Sequence, residues 1–192
     1  MQRQELNIPL ILTGVRLLSP LVLPLLIVSL WPLHNDFIHI FLVIIFLLLG
    51  LTDLFDGLLA RHWQQETKIG RLLDPIADKF LIISSLIALQ AVGALNFVWV
   101  IILVLREMFI MAVRYIACEH SVTIEVSQLA KIKTWLQIAL VAYLLSPYGY
   151  LDSWTQFFIY LILLLTTIAC SLYSAYHYYQ LCMVGVYGKD VF

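Results

Sequence analysis

Six apolar runs follow one another along this chain, and they constrain its fold more than anything else in the sequence. They are Val15–Leu30, Phe37–Arg61, Pro75–Ala94, Phe97–Ala117, Leu129–Leu145 and Trp154–Tyr178. A helix needs about 20 apolar residues to cross the hydrocarbon core of a bilayer. A chain of 192 residues therefore has room for six crossings and little else. In hydrocarbon each backbone N–H and C=O must be satisfied within its own segment, which predicts helices. The expected fold is an all-α integral membrane protein with six transmembrane helices, preceded by a short interfacial helix over Asn7–Gly14. Composition agrees: 62% of residues are hydrophobic and 12% charged, against roughly 45–50% and 25% in soluble domains. No linker, charge block or low-complexity stretch divides the runs, so a single domain over residues 1–192 is expected. Any active site must then be built from the spans and their short loops.

The same numbers exclude other classes. A net charge of −1 leaves no polybasic surface to neutralise phosphates, so no nucleic acid is expected as a partner. Cys118, Cys170 and Cys182 form no CxxC pair and read as small packing residues. Arg16 interrupts what would be the apolar stretch of a leader peptide, and no A-x-A-like cleavage site follows.

Orientation follows from the basic residues. The turns Trp31–Asp36, Gly93–Asn96 and Ser146–Ser153 hold no Lys or Arg, whereas Arg3, Arg61, Lys68, Arg71, Arg114, Lys131, Lys133 and Lys189 lie at the opposite ends. By the positive-inside rule both termini are cytoplasmic. Trp31, Trp99, Trp154 and Tyr148 then stand near the outward ends, where amphipathic rings favour the headgroup level.

The second run breaks its own pattern. After the apolar stretch Ile38–Leu51 come Thr52, Asp53, Asp56, Gly57, Ala60 and Arg61, and the third run opens with Gly70, Asp74, Pro75 and Asp78. A carboxylate at the bilayer centre costs about 2.5–3.5 kcal/mol on insertion scales, so acids in a span need partners. Asp53, Asp56, Gly57 and Ala60 recur at i, i+3, i+4 and i+7, one helical face. Asp74 is placed to cap the third helix with Pro75 at its first position, and Asp78 lies one turn below. Four converging carboxylates would repel, and each would tend to bind a proton. Divalent cations resolve this, and an all-oxygen donor set suits Mg²⁺ or Mn²⁺ better than zinc. Small residues at Gly57, Ala60 and Gly70 leave space for a ligand. The plainer alternative makes these acids helix caps paired with Arg61, Lys68, Arg71 and Lys79.

Asp53 to Asp78 reads D-x2-D-G-x2-A-R-x8-G-x3-D-x3-D. This run resembles the signature of the CDP-alcohol phosphatidyltransferases. The resemblance implies a six-helix, dimeric membrane domain holding two divalent cations through Asp53, Asp56, Asp74 and Asp78, with Asp78 as general base. It also implies that the CDP-lipid lies near Gly57, Ala60 and Gly70, with Thr52 and Arg61 as further contacts. The remaining chain is similar to the branch of that family that makes phosphatidylglycerophosphate. The similarity is carried by Asn7-Ile8-Pro9 with Thr13 and Arg16, by Arg106-Glu107 with Arg114, by Ala130–Thr134 with Gln137, and by Gly188–Phe192. It departs at Leu10, where that branch has a second Asn.

That branch takes glycerol 3-phosphate, a small dianion whose site should contain fixed cations. Arg106 and Arg114 are eight residues apart, about 80° around a helix axis, so one broad face carries both. Arg106 falls near mid-membrane, too deep to snorkel simply. Lys131 and Lys133 point about 160° apart, so only one can face a pocket. The resemblance favours Lys131, leaving Lys133 to reach the headgroups. Glu107 is not expected to share the direction of Arg106, and should pair instead with a neighbouring helix. For Arg16, function and simple anchoring stay equally open.

The expected reaction transfers a phosphatidyl group from CDP-diacylglycerol to glycerol 3-phosphate and releases CMP. It would run in the cell (inner) membrane, at a site open to the cytoplasm, in a homodimer embedded in the lipid bilayer. No Ser, Cys or His stands out as a covalent nucleophile; His34, His39, His62, His120 and His177 read as interfacial or packing residues. Direct attack by the acceptor hydroxyl, with Asp78 taking its proton, is the simplest course. Phosphatidylglycerol, serine or inositol phosphate remain alternative acceptors. A transporter lining an ion path with its acids is the alternative from another class.

Overall fold

A computed structural model describes residues 8–63, 68–120, 128–147 and 152–188; within these, side chains are described except at 8–17, 52–63, 68–78, 118, 128–130 and 186–187. Every regular element among the described residues is helical. α1 (Ile8–Leu30) leads through a single 3-10 turn at Trp31–Leu33 into α2 (Asp36–Trp63). α3 (Lys68–Ala91), α4 (Phe97–Glu119), α5 (Gln128–Leu145) and α6 (Ser153–Tyr187) follow.

Each apolar run is thus a helix, but two beginnings differ from expectation. The interfacial segment over Asn7–Gly14 is not a separate element, because α1 is continuous from Ile8. Pro9 sits in its first turn, where a missing N–H costs nothing, and one internal Gly costs only about 1 kcal/mol. α3 begins at Lys68 rather than Pro75. Asp74 therefore stands more than a turn and a half inside the helix and is not its cap.

The connections between helices have identifiable chemistry. Asn35 Oδ1 accepts the Phe37 N–H at 2.9 Å at the start of α2, and Asn96 Oδ1 accepts the Val98 N–H at 3.0 Å at the start of α4. α3 ends in a Schellman turn: the Gly93 N–H donates to Gln90 O at 3.0 Å and the Ala94 N–H to Leu89 O at 2.9 Å. This turn needs a left-handed residue, and Gly93 supplies it at φ +79°. Asp152 caps α6, its side chain accepting the Thr155 N–H at 3.1 Å and the Thr155 hydroxyl proton. Those bonds hold the Asp152 carboxyl below its ordinary pKa.

Contacts divide the chain into two compact units. One comprises residues 1–95 with 144–148, and the other residues 96–143 with 149–192. In the first, α1 packs chiefly along α3 and also against α2. Its fully buried side chains include Leu23, Ile27, Leu42, Phe46 and Leu89. In the second, α4 packs along α6, and Thr167 of α6 donates to the Leu136 carbonyl of α5 at 3.4 Å. Among the described residues, the buried ones of α4 are Val100, Leu103, Arg106, Glu107, Ile110, Val113 and Ala117, a single stripe at helical spacing. Val113, Ala117 and Cys182 form a small apolar cluster covered by Tyr178.

Polarity is inverted relative to a soluble bundle. Leu105 is 63% exposed on α4, Phe37 83% on α2 and Leu25 70% on α1, while Arg106, Glu107 and Lys133 are buried. Among the described residues, one helix, Ser153–Gly185, is long and apolar enough to cross a membrane; Leu18–Leu33, Asp36–Leu51 and Lys79–Ala91 are shorter apolar helical stretches.

Candidate active site

All four signature aspartates belong to the first unit, on two helices that pack together. α2 runs without interruption to Trp63 and so carries Thr52, Asp53, Asp56, Gly57, Ala60 and Arg61 in one helical register. Asp53 and Asp56 are separated by about 60° around the axis and about 4.5 Å along it. On α3, Gly70, Asp74 and Asp78 share a second register, with the two acids about 40° apart. The side chains of these nine residues lie outside the described ones, so helix register alone places them. Among the described residues no three His, Cys, Asp or Glu side chains gather into a metal-binding group. The register suits the cations expected from the sequence. On each helix the two aspartates stand about a turn apart in register, and aspartate offers hard oxygen donors.

The second unit holds an ionic cluster that sequence reasoning found only in part. Arg106 is 7% exposed, and three of its N–H groups are spent inside the protein. Nε donates to the Ser171 carbonyl at 2.9 Å, one terminal nitrogen to Glu107 Oε1 at 2.8 Å, and the other to Ser174 Oγ at 3.1 Å. Lys133 of α5 donates to the same Glu107 Oε1. Two expectations are corrected here. Lys133 does not reach toward headgroups but is buried against Glu107, while Lys131 is exposed. Glu107 does pair with a neighbouring helix, as expected, but it also bonds Arg106. Cβ directions 100° apart do not prevent this, because both side chains are long enough to bend toward each other. Arg114 is exposed.

Ser171 and Ser174 were not singled out by sequence reasoning. Thr167, Ser171 and Ser174 recur at i, i+4 and i+7 within an apolar run, and all three are buried. Small hydroxyl residues on one face of an apolar helix mark a polar contact with neighbouring helices, and that spacing was the available signal. Two side-chain groups beside the cluster, Gln137 Nε2 and Ser171 Oγ, are buried without a hydrogen-bond partner. In the first unit, His39 is buried, its Nδ1 3.2 Å from the Leu145 carbonyl and its ring edge-on to Trp31, the packing role expected of it.

Comparison with known proteins decides the family. Residues 6–172 match the sequence profile of CDP-alcohol phosphatidyltransferase. The chain belongs to the CDP-alcohol phosphatidyltransferase family. CDP-alcohol phosphatidyltransferases are membrane-associated transferases of phospholipid biosynthesis that generally use divalent cations. Similar relatives carry the name CDP-diacylglycerol–glycerol-3-phosphate 3-phosphatidyltransferase. One, from Cereibacter sphaeroides, is 36% identical over 72% of this chain and 62% of its own length. Another, from Rickettsia felis, is 31% identical over 94% of this chain and 97% of its own length. The Rickettsia prowazekii protein matches to the same extent. The chain thus spans less than two thirds of the first relative and nearly the whole of the other two. The profile match takes in the aspartate register of α2 and α3 and also Arg106, Glu107, Arg114, Lys131 and Lys133.

Proposed function

We propose that this chain transfers the phosphatidyl group of CDP-diacylglycerol to glycerol 3-phosphate, giving phosphatidylglycerophosphate and CMP. One observation carries the reading: the end-to-end match, at 31% identity, to relatives named for that reaction. The chain works as one catalytic domain, a homodimer in the cell's inner membrane, with both termini and the site on the cytoplasmic side. All six helices cross the bilayer. In support, α1 to α4 have 23, 28, 24 and 23 residues and α5 has 18. At 1.5 Å per residue these reach about 27–42 Å, against a hydrocarbon core of about 30 Å. The exposed leucines and phenylalanines and the buried charged cluster favour the same placement.

Asp53, Asp56, Asp74 and Asp78 would hold two divalent cations, Mg²⁺ or Mn²⁺. When bound, these supply positive charge against the diphosphate and the departing CMP. The protein's own residues do the rest. Gly57, Ala60 and Gly70 leave room for the CDP moiety, with Thr52 and Arg61 beside it. Asp78 accepts the proton of the acceptor hydroxyl as its oxygen bonds to the lipid phosphorus and the bond to CMP breaks. Arg106 and Arg114 bind the acceptor's phosphate, and Lys131, about 160° around α5 from the buried Lys133, draws the dianion in from the exposed side. Arg114 and Lys131 are exposed cations, and Arg106 keeps one N–H on each terminal nitrogen beyond its three internal hydrogen bonds.

The test is direct. Purified protein is given CDP-diacylglycerol, a divalent cation and, one at a time, glycerol 3-phosphate, phosphatidylglycerol, serine or inositol phosphate. CMP release with glycerol 3-phosphate alone is the expected result. Release with a different acceptor would overturn the acceptor assignment, and no release with any would overturn the transferase reading.

A further inference from the structure

Glu107 Oε1 accepts a hydrogen bond from each of two cations, Arg106 on its own helix and Lys133 on α5. Arg106, Glu107 and Lys133 are all buried, so the shared carboxylate joins α4 to α5 away from the surface. Removing charge from water is costly unless it is compensated, and breaking a buried pair by removing one partner is strongly destabilising, so each of these contacts restrains the groups that make it. The surroundings also hold unspent polar capacity. Gln137 Nε2 is buried and unpartnered one turn along α5 from Lys133. Ser171 Oγ is likewise unpartnered, on the residue whose carbonyl takes the Arg106 Nε proton.

The Arg106 guanidinium, meanwhile, is held on three sides. Glu107 fixes one terminal nitrogen, Ser174 the other, and the Ser171 carbonyl fixes Nε. A guanidinium so held has its remaining N–H groups aimed before any ligand arrives, which lowers the ordering cost of binding an anion. We propose that Glu107 is a positioning residue: with Ser174 it holds Arg106 in the orientation that receives the acceptor's phosphate. The proposal rests on the glycerol 3-phosphate reading above and adds a residue to it that touches no substrate.

The sign of one substitution separates this role from simple charge tuning. Glu107→Gln removes one negative charge beside Arg106. If Glu107 acted through its charge alone, the variant would bind the acceptor more tightly. If it positions Arg106, the amide holds two cations poorly, the fork loses its orientation, and acceptor binding weakens. The measurement is steady-state CMP release by the full-length protein in detergent or lipid, varying glycerol 3-phosphate and CDP-diacylglycerol separately. A tenfold change in a binding constant is within the reach of one charge-assisted hydrogen bond. The expected result is an acceptor KM raised about tenfold or more, a CDP-diacylglycerol KM changed less than about twofold, and partial recovery in Glu107→Asp, which restores the charge. Ser174→Ala, a mild change at the other end of the same guanidinium, should raise the acceptor KM alone by about three- to tenfold. It decides the matter if Glu107→Gln does not fold. An unchanged or lowered acceptor KM in Glu107→Gln overturns the proposal, as does an unchanged one in Ser174→Ala where only that variant folds. Wild-type protein that does not use glycerol 3-phosphate would overturn the parent reading, and this proposal with it.

Discussion

Replacing Arg106 by Lys keeps one positive charge and removes a planar fork, so it tests the arginine's two roles together. The native side chain donates to the Ser171 carbonyl at 2.9 Å, Glu107 Oε1 at 2.8 Å and Ser174 Oγ at 3.1 Å. These acceptors lie around the edge of one guanidinium, and a lysine ammonium carries its three donors on a single atom. It can keep the carboxylate and must lose at least one of the others. A hydrogen bond to a charged group contributes about 1.5–3 kcal/mol net, so a loss of about 2 kcal/mol in stability is expected. For a chain of this size that lowers an apparent Tm by about 4–8 °C. If the same guanidinium also binds the acceptor's phosphate, losing fork geometry raises the glycerol 3-phosphate KM by about ten- to 150-fold. The KM for CDP-diacylglycerol should hardly move. Thermal unfolding in detergent and two-substrate kinetics on the same preparation separate the effects. A lowered Tm with both KM values unchanged would leave Arg106 as a structural clamp and remove it from acceptor binding. No change in either quantity would contradict the buried hydrogen-bond pattern itself.

Further outcomes follow from the other elements. Chelation should abolish CMP release and Mg²⁺ or Mn²⁺ restore it, while Asp78→Asn should still bind CDP-diacylglycerol, in a direct binding assay, but release no CMP. Gly57→Leu should insert into membranes normally and fail to bind CDP-diacylglycerol; unchanged affinity would refute the placement of the CDP moiety on that face of α2. Asp152→Ala removes the cap of α6, so amide exchange at Thr155 should accelerate, with little effect on turnover. The wild-type cap should respond to pH in the same assay. The Asp152 carboxyl is held below its ordinary pKa by the Thr155 hydroxyl and N–H. Its contribution is therefore complete above the unfolded value, about 3.9, and disappears as pH falls through the lower folded value.

The helices were legible in the sequence because a run of about 20 apolar residues is a long, redundant signal. The start of α3 was not. Gly70, Asp74 and Pro75 together read as a turn and a cap, yet the helix begins at Lys68. A proline removes one hydrogen bond from a helix, and neighbouring helices and local adjustment can make that loss tolerable in a membrane protein. The aspartate signature was legible for a different reason: it sets four acids where the surrounding sequence is otherwise apolar.

Which lysine faces inward was the hardest point to read, and the reason is geometric. Helical angles gave two opposed directions for Lys131 and Lys133, but nothing in α5 alone distinguishes the exposed side from the buried side at its first turns. The decision lies on another helix. Glu107 is a buried carboxylate, and a buried carboxylate requires a cation, so whichever lysine can reach it is drawn inward. Lys133 reaches it, and Lys131 is left exposed. The same constraint explains why Arg106 turns to its own sequence neighbour despite the angle between them. Where burial leaves no water to solvate charge, a long side chain bends toward whatever neutralises it, and the position of its Cβ becomes a poor guide to the position of its charge. Exchanging the two positions, with Lys131→Met and Lys133→Met made separately, puts this to measurement. Lys133→Met should change thermal stability, because it alters the buried charge balance. Lys131→Met should leave stability alone and act on acceptor KM. Equal effects of the two on stability would mean that the charges on α5 are not partitioned by Glu107.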